Sequence, residues 1–300
     1  PVQKKLAEIW QDVLGIARIG TTDNFFDLGG DSIVSIQMVA RAKQVGLLLT
    51  VKDVFDYPTI NGLVSHVKTT ATTDALAVSS NVEGQVALTP VQSWFFEHET
   101  PDRHFYNQAL PHAIEKSFPH KALLDAAIAI VAHHDILRAS FAQADDGVWV
   151  QTSAPADSID ADAVVVTVDL STKAHDDDLA AAVDRECTAI QASFDLAAPP
   201  LFRVVRVLLP PAPDGRDVDV VALVAHHLCI DGVSWRVILA DLETALRSAQ
   251  AGTAVELPAK THSYKQWSDA LVGYASSGTL LAERPFWQSV VDRSATVVAL

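Results

Sequence analysis

Cysteine is nearly absent: the 300 residues hold two, Cys187 and Cys229. They lie far apart and lack C-x-x-C spacing. That argues against a disulfide scaffold or thiolate metal site and predicts two free thiols in a reducing compartment. Positive charge is also scarce. With 22 Lys and Arg against 37 Asp and Glu, the formal net charge is -15, the wrong sign for a nucleic-acid or anionic-membrane partner. No apolar run approaches the ~20 residues of a bilayer-spanning helix. The opening PVQKKLAEIW is amphipathic and charged, without the apolar core of a signal peptide. No internal repeat is found. These absences predict a soluble cytoplasmic protein.

What is present is enough apolar material, 49% of residues, to fill real cores. The length suggests about two domains, at ~150 residues each. Residues 1–68 read as a small all-α bundle, with Leu6, Ile9, Trp10, Val13 and Leu14 at helical spacing. Asp31 can cap a helix from Ser32 to about Val45 that Gly46 ends. YPTINGLVSHV gives a last short helix. Residues 69–85 are small and polar, as in a linker. Beyond them strands and helices alternate, predicting an α/β lobe with a mixed sheet flanked by helices. Strands are expected at 109–114, 137–142, 148–152, 164–170, 201–209 and 218–227, and helices at 119–133, 176–194, 233–251, 264–275 and 281–291.

Two stretches carry chemistry. In DNFFDLGGDSI, Ser32 stands at a loop-to-helix junction behind two glycines that allow close backbone approach. A helix N-terminus favours negative charge, so Ser32 could hold a phosphodiester. From the residues alone it reads as a simple cap. In AHHLCIDGVSW, His226 and His227 are adjacent on a strand and so face opposite sides. That spacing is not the i, i+4 helical pair of a zinc site, and no metal is expected. Periodicity alone favours a satisfied core histidine. The Asp231-Gly232 turn and the helix after it shift the reading to a placed acid or base, because N–H groups at that helix start could stabilise an oxyanion near His227.

DNFFDLGGDSI and FDYPTINGL resemble the peptidyl carrier protein of nonribosomal peptide synthetases. The resemblance implies 4'-phosphopantetheine on Ser32, added by a phosphopantetheinyl transferase. GGDSI is similar to carriers that precede epimerization domains. HHLCIDGVSW resembles the HHxxxDG signature of condensation and epimerization domains and of chloramphenicol-acetyltransferase-like enzymes, which implies His227 as the catalytic residue. Asp231 is then structural, held by an arginine for which HHDILRASF offers Arg138. Such a buried pair costs ~3–5 kcal/mol to break, so Asp231→Ala is expected to damage folding as much as chemistry. His133 and His134 belong to that motif and are given no catalytic role.

DGVSWR, LTPVQSWFF with Gln92 and Trp94, HFYNQAL with Asn107-Gln108, and THSYKQW resemble the epimerization type. Gly232 supports the site, and His226, Ser234, Trp235, Gln92, Trp94 and Asn107 are candidates for lining it. The implied reaction inverts the α-carbon of a carrier-bound aminoacyl or peptidyl thioester, L to D. It requires a positioned base, and imidazole suits with its ordinary pKa of ~6.5. In the family a glutamate in an EGHGRE-like motif serves the opposite face. No such motif occurs before Leu300, and Glu97, Glu186, Glu243 and Glu283 match no such position. The expectation is therefore an N-terminal epimerization lobe over 86–300 without its C-terminal lobe, incomplete for catalysis. Implied partners are the carrier-bound substrate, an upstream adenylation domain and a downstream condensation domain. A short linker would give effective concentrations of ~mM, so carrier docking can be weak. Two other readings stay open: an amide-forming condensation domain, and a non-catalytic carrier-docking module.

Overall fold

The computed structural model of the protein describes residues 2–69, 82–98, 101–174, 177–260 and 262–294. The chain divides into two compact units, 1–78 and 79–300.

The first unit runs α1 (Val2–Leu14), α2 (Ser32–Gln44), β1 (Leu47–Leu48), α3 (Val51–Asp56), α4 (Ile60–Val64) and β2 (Lys68–Thr69), with β1 and β2 paired antiparallel. Leu6, Ile9 and Trp10 of α1 are buried with Phe25, Met38, Val54, Ile60 and Leu63. Trp10 meets Phe25 edge to face, with ring centroids 4.9 Å apart. The Asp31 carboxylate accepts from the Ile33 and Val34 N–H groups and so starts α2. Gly46 follows its end at φ 80°, a conformation that side chains with a Cβ resist. Periodicity does not reveal α3 or the ladder. Six residues are too few to show a 3.6-residue repeat, and α3 is defined by the Thr50–Asp53 capping box.

The second unit runs β3 (Gly84–Val86), α5 (Pro90–Glu97), β4 (Asn107–Glu115), α6 (His120–His133), β5 (Ala139–Gln143), β6 (Trp149–Ser153), α7 (Ala161–Val164), β7 (Val165–Asp169), α8 (Asp177–Ala192), β8 (Phe202–Leu208), β9 (Val218–His226), α9 (Ser234–Gln250), α10 (Tyr264–Ala275), α11 (Gly278–Ala282) and α12 (Arg284–Ser294). Its main sheet has the order β4-β9-β8-β7, parallel at β7–β8 and antiparallel elsewhere. This is the mixed sheet that the alternating elements predict. The parallel pair needs a crossover, which α8 provides. β9 lies between two partners, and Val221, Ala222, Leu223, Val224 and Ala225 are all buried. α6 and α9 pack against each other and contribute to the same core. A second antiparallel sheet has the order β3-β6-β5, with the β5–β6 turn at Gly147.

Several boundaries differ from expectation or fall outside the described residues. The strand expected at 137–142 begins at Ala139, because Asp135–Arg138 form a 3₁₀ turn that carries Arg138 inward. The expected 281–291 helix is two, α11 and α12. Pro285, second in α12, lacks an N–H and disfavours helical geometry in the residue before it. Asp176, where a helix is expected to begin, lies outside the described residues. So do 70–81 of the expected 69–85 linker, while Val82 is buried and Gly84–Val86 pair with β6.

Candidate functional site

Ser32 is the first residue of α2 and is exposed. The loop before it is held by Gly30, whose N–H donates to the Phe25 carbonyl at 2.9 Å. A Cβ on Gly30 would lie 2.4 Å from the Phe25 ring, so only glycine permits this approach. Asp31 already takes the Ile33 and Val34 N–H groups. The helix start is thus less open to an anion than its sequence suggests. What fits a covalent arm is an exposed hydroxyl at a fixed helix end.

In the second unit, strand register sorts the side chains around the histidine pair. Asn107 stands opposite His226, and Gln108 opposite Ala225. Side chains alternate, so Gln108 shares a face with His227, and Asn107 shares the other with His226. His226 is fully buried. Its Nε2 is 2.8 Å from the Arg103 carbonyl, and its Nδ1 accepts from the Leu228 N–H at 3.1 Å. That fixes a neutral Nε2–H ring, and burial first of all pushes its pKa down to about 4. His226 is a satisfied core residue rather than a lining one.

His227 is half-buried and borders a cleft of about 570 Å³. Its Nδ1 lies 2.7 Å from the Ile230 carbonyl. Its Nε2 lies 3.1 Å from Gln108 Nε2, whose Oε1 accepts from the Trp235 indole N–H at 2.7 Å. Tyr106, opposite His227 across the strand end, stacks on the ring at 5.0 Å between centroids.

Of the expected lining residues, Gln92, Trp94 and Ser234 border this cleft. Gln92 is buried; its side chain caps α5 through the Thr89 N–H and donates to the Leu228 carbonyl. Trp94 is exposed and lies against His98. Asn107 turns away and donates to the Gln191 carbonyl. Trp235 is buried and reaches the site through Gln108. Sequence reading passes over Gln108, Tyr106 and the Ile230 carbonyl as site groups. Pairing β4 with β9 would have selected Gln108 over Asn107, but a single sequence does not provide the register.

The expected Asp231–Arg138 ion pair does not form. Arg138 is fully buried and donates to the carbonyls of Val82, Val131, Ala132 and Ala154. Burial pushes its pKa down, partly offset by the Asp135 charge. Asp231 is exposed; its carboxylate accepts from the Val233 N–H, the Ser234 N–H and the Ser234 hydroxyl. Burial tends to raise its pKa, but those bonds and the nearby His227 together hold it below the usual carboxylate value. The N–H groups expected to stabilise an oxyanion at the start of α9 are therefore taken by Asp231. Gly232 has no positive φ, and a Cβ there would meet nothing within 4 Å. The buried arginine–aspartate pair lies elsewhere, between Arg206 and Asp219 at 2.9 Å. There Arg206 also donates to the Lys116 and Phe118 carbonyls.

His133, His134 and Asp241 bring possible ligand atoms within 4.8 Å of one another. His134 Nε2 already bonds Asp241 Oδ2 at 2.9 Å, tying α6 to α9. The Lys260 ammonium, bonded to the His133 carbonyl, adds positive charge that opposes a cation. Burial, then the His134 and Lys260 charges, push His133 down to about 4.

The Condensation domain family matches residues 82–300, and the Phosphopantetheine attachment site family matches residues 4–67. A linear gramicidin synthase protein of Brevibacillus parabrevis is 40% identical over 291 residues, covering 97% of this chain and 5% of that protein. Surfactin synthase subunit 1 of Bacillus subtilis (strain 168) is 35% identical over 293 residues, covering 98% and 8%. The epimerization domain from the third module of tyrocidine synthetase B superposes with a TM-score of 0.65 at 33% identity, covering 73% of this chain and 47% of that one. The starter condensation domain of rhizomide synthetase gives 0.55 at 22%, covering 68% and 47%, a likeness of fold. This chain spans less than half of either solved domain and a small fraction of the two synthases. With one family matched across most of its length and a second ahead of it, the chain belongs to the condensation-domain family, preceded by a phosphopantetheine attachment domain.

Proposed function

We propose that this chain is the carrier and the first lobe of an epimerization domain in a nonribosomal peptide synthetase. An aminoacyl or peptidyl group is held on the arm of Ser32 and inverted at its α-carbon. When bound, the pantetheine arm supplies the thioester that acidifies the α-proton. His227 is the base: Nδ1 keeps its proton on the Ile230 carbonyl, and Nε2 receives the α-proton as the C–H bond breaks. The electron pair remains with the substrate until a proton returns on the opposite face. Among the described residues lining the cleft the sole carboxylate is Asp231, and it is bound to the start of α9. The proton for the opposite face is therefore expected from outside these residues.

One observation carries the reading: an imidazole at the rim of the cleft with Nδ1 pinned to a carbonyl and Nε2 as its acceptor atom. The greater identity to an epimerization domain, 33% against 22% for the starter condensation domain, favours inversion over amide formation. The same lobe also fits condensation chemistry, in which His227 would serve the attacking amine. Further expected partners are a phosphopantetheinyl transferase, an adenylation domain and a condensation domain, in the cytoplasm.

The test uses the full-length protein, loaded through Ser32, in deuterium oxide. Deuterium at the α-carbon without amide product supports inversion. Amide product without exchange contradicts it and identifies a condensation domain. Transferase treatment is also expected to add one phosphopantetheinyl mass to the parent and none to Ser32→Ala.

A further inference from the structure

We infer that Gln108 is a positioning residue that, together with the Ile230 carbonyl, keeps the proton of His227 on Nδ1 and off Nε2. The inference rests on reading His227 as the base, and it names what keeps that base in its working form. Three bonds form a chain whose directions chemistry fixes. The Trp235 indole only donates, so the oxygen of the Gln108 amide must face it, at 2.7 Å. The NH₂ of that amide then faces His227 Nε2 at 3.1 Å, so this nitrogen accepts. The Ile230 carbonyl only accepts, so the ring proton lies on Nδ1, 2.7 Å away. Without Trp235 the amide could turn over and demand the opposite tautomer.

The adjacent ring is the internal contrast. His226 carries its proton on Nε2, toward the Arg103 carbonyl, because its Nδ1 accepts from the Leu228 N–H. Two neighbouring imidazoles are thus held in opposite tautomers by opposite sets of partners. At His227 the consequence is chemical. When Nε2 takes the substrate's α-proton, the C–H bond breaks, an N–H bond forms, and the pair stays on the substrate carbon. Nε2 has a single lone pair, so the Gln108 N–H must let go of it as the α-proton is taken, and it cannot return while the new N–H is present. Gln108 therefore favours the ring that has given its proton back, which restores the base after each turnover.

The experiment is nitrogen-15 NMR of the histidine rings in the full chain near neutral pH, with His227 assigned by its loss in His227→Ala. The parent is expected to show a pyrrole-type Nδ1 and a pyridine-type Nε2. In Gln108→Glu the carboxylate accepts from both Trp235 and Nε2, and both nitrogens are expected to become pyrrole-type at the same pH. In Gln108→Met, Nε2 stays pyridine-type but moves toward the value of an unbonded nitrogen. A parent ring protonated on Nε2, or a parent-like pattern in Gln108→Glu, overturns the proposal. The His226 pattern reports an intact fold. If Gln108→Glu loses it, Gln108→Met decides: a moved Nε2 signal supports the inference and an unmoved one overturns it. Persistence of α-proton exchange in His227→Ala would instead defeat the base reading while leaving the ring's proton placement as measured.

Discussion

Protonating His226 costs the fold a hydrogen bond, because its Nδ1 already accepts from the Leu228 N–H inside the core. Its pKa is depressed from 6.5 to about 4. A folded-state pKa below the unfolded one means that the unfolded chain binds more protons over that window. Stability is therefore complete above pH ~6.5 and is lost as pH falls toward ~4, by about 3 kcal/mol from this residue. His133, also lowered to about 4, adds in the same direction. Urea unfolding across this range is expected to show the fall, and His226→Gln to flatten it. At Asp231 the carboxylate holds the start of α9 and not a buried guanidinium. Asp231→Ala is expected to cost about 1 kcal/mol. Gly232→Ala meets no neighbour and needs no unusual φ, so thermal unfolding should place it within about 1 kcal/mol of the parent.

At the scale of elements, the buried charges set the larger costs. Asp219 on β9 accepts from Arg206 on β8 and from the Leu209 N–H, so one carboxylate ties the two strands together. Asp219→Ala strands a buried guanidinium and is expected to lower the stability of the second unit by about 3–5 kcal/mol. Arg138→Met leaves four carbonyls without their donor and is expected to cost at least about 3 kcal/mol by the same urea titration. In the first unit, Gly30→Ala puts a methyl into the Phe25 ring. Its expected effect is a lowered melting temperature for that unit, read by calorimetry.

For the molecule as a whole, the sequence makes legible whatever depends on local pattern. α10 falls at 264–275 as the apolar spacing and the Ser263 cap require. β8 and β9 fall within a residue of the apolar runs that predict them. Asp31 caps α2 because an N-cap is a contact between near neighbours in sequence. Contacts between distant residues are not legible in this way. The placement of Arg138 among four carbonyls depends on a 3₁₀ turn and on chain from Val82 to Ala154. The Gln108–His227–Trp235 chain depends on the β4–β9 register. HHxxxDG points to the histidine, but it does not show what holds the ring. The two family matches cover residues 4–67 and 82–300.

The central claim is that Nε2 of His227 moves the α-proton. It is tested most directly by timing deuterium entry at the α-carbon of a loaded full-length protein, parent beside His227→Ala. The account predicts a rate lower by about 10²–10⁴-fold in the variant. Equal rates would contradict it.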